Sequence, residues 1–276
     1  MRKTGLTIAV AALALTACDP GPATGPPETT APALTAPATD VTQLVAAARS
    51  GIAAAPSATF TMDAVTGTSG KSATGSIRFD GGTRSLTITV DSTEIRVIGK
   101  KSYTHGPVGL PGKPWVGSDP GSPDSPDNPV ARAGDGVVAT FVRLPDLDHA
   151  LTGIARAGRI VSAEQTRLRD LPVNHYRLEI DAAKITDLFP EFIRVPMNGK
   201  PAEPITAKLP AELWLDAAQR PARFTVDLTS GFPQPGTPMT FKGTTDYRDW
   251  GDPVEIETPP ADQVVDIWEL IKKMGT

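Results

Sequence analysis

The chain has 276 residues, 27 Lys and Arg against 31 Asp and Glu, and a formal net charge of −4. Its longest basic runs are the pairs Arg2-Lys3, Lys100-Lys101 and Lys272-Lys273, so composition speaks against nucleic acid as a partner and against charge-driven attachment to an anionic bilayer. A single cysteine, Cys18, rules out an internal disulfide framework and any thiolate-built metal or iron–sulfur centre.

Residues 1–17 have the layout of an export signal. Arg2 and Lys3 are followed by an apolar stretch from Leu6 to Leu15 and then by Thr16-Ala17-Cys18. About ten apolar residues are too few to cross a hydrocarbon core that needs about 20. Leu15-Thr16-Ala17-Cys18 resembles the bacterial lipobox. That resemblance implies a thioether-linked diacylglyceryl group on Cys18, cleavage before it, and N-acylation of the palmitate kind. The expectation is an extracytoplasmic lipoprotein, held by lipid on the outer face of the cell membrane; the alternative is an ordinary secreted chain. Cleavage leaves 25 basic against 31 acidic side chains, a net of −6. Once Cys18 carries lipid, no thiol nucleophile remains.

Residues 18–40 comprise the lipidated cysteine and a Pro/Thr/Ala-rich tether. Positions 19–40 hold six prolines and almost no large apolar groups. Such a segment cannot bury enough surface to offset its chain entropy, so a disordered, extended tether is expected. Residues 41–276 then form a single domain.

Asp40 is a fitting N-cap for a helix over 42–54. Beyond it the pattern has mostly period two, and alternation of this kind marks antiparallel strands with one apolar and one wet face. Strands are expected at 58–66, 72–79, 84–91 and 94–99. A stretch at 105–135 holds seven prolines and six glycines, and a long loop is expected there, either a lid or a surface insertion. A helix follows at 146–157, with Leu147, Leu151 and Ile154 on one stripe and Gly158 as its stop. Strands come next at 159–168 and 173–181, and the alternation puts His175 on the wet face. A helix is expected at 184–193, strands at 211–216, 222–229 and 237–246, and a last helix at 261–274. Helices at these places are expected to cover the apolar face of the sheet.

The familiar catalytic signatures fail. Gly67 to Ser72 ends like a phosphate loop but lacks its first glycine, since Val65 stands there. Asp119, Asp124 and Asp127 lack calcium-hand spacing. His105, His149 and His175 share no metal-ligand spacing, and there is no Gly-x-Ser-x-Gly elbow. No catalytic residue, metal or cofactor is expected; a hydrolase remains as a remainder only.

The ordered features resemble the actinobacterial LppX/LprAFG-type lipoprotein family, of the LolA/LolB-like half-barrel superfamily. They are Ser57-Ala58-Thr59-Phe60 after the first helix, Glu94 to Tyr103 with Lys113-Pro114-Trp115-Val116, Leu171 to Leu178, Leu213-Trp214-Leu215-Asp216 with Arg220 to Phe224, and Tyr247 to Ile256 with Pro259 to Asp262. The resemblance implies an α+β fold: a curved antiparallel β-sheet, an open half-barrel, with several α-helices covering its concave apolar face. It implies a cavity there for the acyl chains of a lipid or glycolipid, or of a lipoprotein, and no enzymatic activity. Lining candidates are Phe79, Leu86, Ile88, Val90, Val97, Phe224, Val226, Leu228 and Phe241 from the sheet, and Leu151, Ile154 and Phe189 from helices. The partners implied are the acylated ligand, the membrane through Cys18, and a membrane transporter or other envelope protein. The second reading is an envelope sensor or interaction lipoprotein that regulates a membrane partner.

Overall fold

The computed structural model describes residues 33–80, 83–99, 101–118, 142–188, 207–229 and 241–274. Residues 33–40 lead into helix α1 (Val41–Ala54). The Asp40 side chain accepts the N–H of Gln43 at its start, so the expected cap holds. Six strands follow: β1 (Ser57–Thr66), β2 (Ser69–Asp80), β3 (Thr83–Val90), β4 (Thr93–Ile98), β5 (Lys101–Leu110) and β6 (Lys113–Ser118). Helix α2 (Leu147–Ala157) leads into β7 (Gly158–Leu168) and β8 (Leu171–Asp181). Then come β9 (Lys208–Leu215), β10 (Pro221–Asp227), β11 (Phe241–Arg248), the short β12 (Val264–Asp266) and helix α3 (Ile267–Met274).

The twelve strands make one open sheet, ordered β12-β6-β5-β4-β3-β2-β1-β11-β10-β9-β8-β7. It is two meanders, β1 to β6 and β7 to β11, joined where β1 pairs antiparallel with β11. Only β12 runs parallel to its neighbour, β6. The sheet therefore keeps two edges, as an open half-barrel does. Its basal end carries the start of β1 and the turns at 169–170 and 216–220. Its apical end carries the turns at 67–68, 91–92 and 111–112.

Alternation sorts the side chains onto two faces. On the inner face, α1 and α2 lie over a core that includes Phe60, Met62, Ile77, Leu86, Ile88, Leu178 and Leu213. On the outer face, one cross-strand row runs Glu164–His175–Trp214–Arg223–Asp246–Thr61 through six strands. Arg223 grips Asp246 with two bonds of 2.8 Å. His175 stacks on Trp214 at 4.3 Å and lies between Glu212 at 2.6 Å and Glu164 at 3.3 Å. The sequence places His175 in solvent. The structure leaves it 6% exposed, because the indole and two carboxylates beside it close over the ring.

Three element assignments differ from expectation. Residues 105–118, read as part of a Pro/Gly loop, belong to β5 and β6; residues 119–135 lie outside the described residues. Pro107 falls where the β5–β6 register shifts between His105 and Leu110, so its missing N–H leaves no gap in a regular ladder. The helix expected at 184–193 is, as far as Leu188, two 3₁₀ turns, Ala182–Lys184 and Thr186–Leu188. Pro190, in the middle of that stretch, opposes an α-helix through it. The helix expected at 261–274 is a 3₁₀ turn at Ala261–Gln263, then β12, then α3. The β-branched pair Val264-Val265 extends alongside Trp115 and Val116.

Candidate functional site

The inner face is the place to which the lining candidates belong. Leu86, Ile88, Leu151 and Ile154 are at most 1% exposed, and Phe224 and Val97 reach only 5% and 9%. All six share one buried cluster. Phe79, Val90, Val226 and Leu228 are half-buried against that same cluster. Phe241 is half-buried on β11, with its N–H donating to Thr229 Oγ1. Phe189 lies outside the described residues. The structure thus brings ten of the twelve candidates to one apolar face, filled by the protein's own side chains.

Small residues set how closely the cover approaches. Gly243 on β11 has no room for a Cβ, which would sit 2.3 Å from Leu144 Cδ2. Leu144 therefore rests on the sheet in the segment that feeds α2. Tyr247 Oη donates to Pro145 O at 3.0 Å just beside it. At the basal end Phe79 stacks on Trp250, whose indole N–H donates to Pro221 O. A second, smaller cluster of Val116, Val265 and Leu270 seats α3 at the β6–β12 edge.

A charged group against this apolar face was not foreseen from the sequence. Asp146, 2% exposed, caps α2 by accepting the His149 N–H at 3.2 Å and pairs with Arg84. Arg143 donates to Leu188 O at 2.7 Å and faces His149 Nε2 at 3.5 Å. The signal lay in the alternation itself: with Leu86 and Ile88 inward, Arg84 is inward too. Burial lowers the Arg84 pKa to about 10, aided by Arg143, and the guanidinium stays charged at neutral pH.

Burial, with Arg143 and Arg84 nearby, pushes His149 down to about 4. A histidine is ordinarily half-protonated near 6.5. The unfolded chain therefore takes up its proton as pH falls through about 6.5, and the folded chain refuses one until about 4. Stability from this group is complete above pH 6.5 and declines between 6.5 and 4. The expected loss is about 3 kcal/mol across that window. Urea unfolding of the unaltered chain and of His149→Gln at pH 7 and pH 4.5 checks it. The unaltered chain should lose about 2 kcal/mol more than the variant; equal losses would refute the assignment.

A shallow groove of about 190 Å³ lies at the apical end of β7 to β9, lined by Arg156, Arg159, Glu179, Asp181, Lys184 and Lys208 among others. Its charges answer one another: Arg156 pairs with Asp187, Arg159 with Glu179 and Lys208 with Asp181. Hydrogen bonds from Arg159 and Lys208 pull the Glu179 and Asp181 carboxyls below their usual range. These groups form surface ion pairs in which Lys184 and Lys208 share Asp181. Among the described residues no group of three or more His, Cys, Asp or Glu is placed to hold a metal ion. Nor is any helix among them long and apolar enough to cross a membrane.

No protein-family model matches the chain, and no curated protein matches it. Solved structures do. One is LprF from Mycobacterium bovis, at TM-score 0.44 and 14% identity over 80% of this chain and 97% of that one. A DUF1329 family protein from Desulfovibrio piger gives 0.30 and 11% over 80% and 95%. A LolA superfamily protein from Nitrosomonas europaea gives 0.28 and 11% over 81% and 96%. LprF and LolA are also the names attached to the resemblance read from the sequence.

Proposed function

We propose that the domain binds the acyl chains of a lipid, or of a lipoprotein, against the inner face of its sheet, and carries them without chemistry at the outer face of the membrane to which Cys18 holds it. One observation carries this reading. An unclosed antiparallel sheet presents a continuous apolar face from β4 to β9, and its cover over that cluster is a layer of short helices with a half-buried apolar rim at Val90, Val226 and Leu228. Because β7 and β12 end the sheet, it can flex open without breaking a closed ladder. An acyl chain that slides between sheet and helices exchanges side-chain contacts for its own. At about 0.8 kcal/mol per buried methylene, a chain of about sixteen carbons brings roughly 10 kcal/mol of hydrophobic driving force. That is enough to displace part of the cover without a single polar contact.

The test is native mass spectrometry of the domain from Ala33 onward, purified from a lipid-rich host. Added mass that resolves into acylated molecules is the expected result. An empty protein that also fails to take up a fluorescent fatty acid would end the carrier reading and leave the interaction-protein alternative.

A further inference from the structure

We propose that residues 33–40 form a strap that fixes the exit of the lipid anchor at the basal end of the sheet, so that the tether must span the height of the domain before the apical rim can meet the anchoring membrane. The docking of residues 33–40 rests on the structure; the lipid anchor on Cys18 and its consequence for the apical rim rest on the carrier reading above.

The strap pairs with no strand, yet three elements converge on one of its residues. Gln165 Nε2 on β7 and Asn174 Nδ2 on β8 both donate to Thr35 O, at 2.9 and 3.1 Å. Gln219 Nε2, from the turn between β9 and β10, donates to Thr35 Oγ1 at 2.9 Å. Three residues on, the Ala38 N–H donates to Tyr176 Oη at 2.9 Å, and Ala38 packs on the core. Asn174 is fully buried and its Oδ1 has no partner. Its amide is thus tied to the strap alone through Nδ2 among the bonds seen, and lifting the strap would strand it. Gln165, Asn174 and Gln219 all lie toward the basal end. Val90, Val226 and Leu228 lie at the apical ends of β3 and β10.

Length gives this arrangement a consequence. The fifteen steps from Cys18 to Ala33 reach at most about 50 Å at roughly 3.4 Å per residue. The longest strand, β2, has 12 residues and spans about 40 Å at roughly 3.3 Å each. The tether therefore exceeds the height of the sheet by only about 10 Å, and an apical rim gains its own membrane only when the tether is largely extended.

The experiment uses the full lipidated chain in phosphatidylglycerol–phosphatidylethanolamine vesicles with an acceptor dye on the headgroups. Because Cys18 is the only native cysteine, a donor dye can be placed by Leu171→Cys at the basal end or Thr68→Cys at the apical end. Greater energy transfer from the basal label is expected, and Gln165→Ala with Gln219→Ala should erase the difference. Equal transfer from both labels in the unaltered chain overturns the strap. Deletion of residues 20–27 shortens the tether to about 20 Å. Lipid pickup from the anchoring vesicle should then slow at least tenfold, with uptake of a fluorescent fatty acid from solution unchanged. Undiminished pickup overturns the length claim. Loss of fatty-acid uptake at both lengths counts against the carrier reading and leaves the energy-transfer result standing.

Discussion

Asp146→Ala is expected to cost about 3–5 kcal/mol of folding stability, the largest single effect foreseen for this chain. Two functions vanish together. The α2 N-cap loses its acceptor for the His149 N–H, worth about 1 kcal/mol alone. More damaging, Arg84 keeps its charge on a largely apolar face after its carboxylate is gone. Removing one partner of a largely buried pair leaves a charge answered only by the Coulombic attraction of exposed Asp148, and that penalty outweighs anything the pair contributed while intact. A domain of this size has about 5–15 kcal/mol in hand, so the variant should melt roughly 10 °C lower. Two companions separate the causes. Asp146→Asn keeps a cap acceptor and loses the charge, and should suffer most of the loss. Arg84→Met added to Asp146→Ala removes the stranded cation and should recover at least half. Chemical unfolding of the four proteins decides it. A cost below about 1 kcal/mol for Asp146→Ala, or no recovery in the double variant, would show that the pair is not buried in solution.

What the sequence made legible follows from where water sits. Strands β3, β8 and β10 were plain because each has one wet face, and alternation reports that directly. Asp40 is legible as a cap because capping is a local act, whereas Asp146, which caps α2, stands in the sequence only as the first residue of its helix. The misreadings share the opposite property. β5 and β6 are strands because β4 and β12 flank them, and their proline and glycine content conceals it. β12 exists because the β6 edge is free to receive it; taken alone, Val264 to Met274 has apolar spacing fit for a helix. His175 looked solvent-bound by parity, but its neighbours in the row were set by the pairing of β7, β8 and β9, which no single-strand pattern encodes. The candidate site divides the same way. Ten of the twelve lining candidates fall together on the inner face, which alternation and helical spacing mark as apolar. Arg84 lies within that same alternation but carries no local signal, because a cation on an apolar face gains its partner from Asp146, far along the chain. The docking of Thr35 rests on amide side chains from three elements. Composition reads the whole segment 18–40 as tether, and nothing local marks its last eight residues as different.

Gly51→Ala should destabilise the domain by about 2–3 kcal/mol, although the same change in an exposed helix interior gains up to about 1 kcal/mol. The sign turns on one contact. A Cβ at position 51 would lie 2.3 Å from Gln219 O and 2.8 Å from Arg220 N, both backbone atoms. That turn cannot readily yield. The Asp216 side chain accepts from the Ala218 and Arg220 backbone N–H groups and from Arg220 Nε, at 2.8–2.9 Å, and Gln219 already sits at φ 63°. The helix must therefore back away, and Leu44, Val45, Ala48 and Ile52, buried on the same face of α1, lose contact with the sheet. Gln219 links this strain to the strap, since its carbonyl meets α1 and its side chain holds Thr35. Hydrogen exchange should accordingly quicken at residues 33–40 as well as in α1. Ser50→Ala, one position away on the exposed side, is the control and should be neutral or slightly stabilising. A Gly51→Ala protein as stable as that control, with residues 33–40 still protected, would mean that the close approach of α1 to the 216–220 turn does not exist in solution.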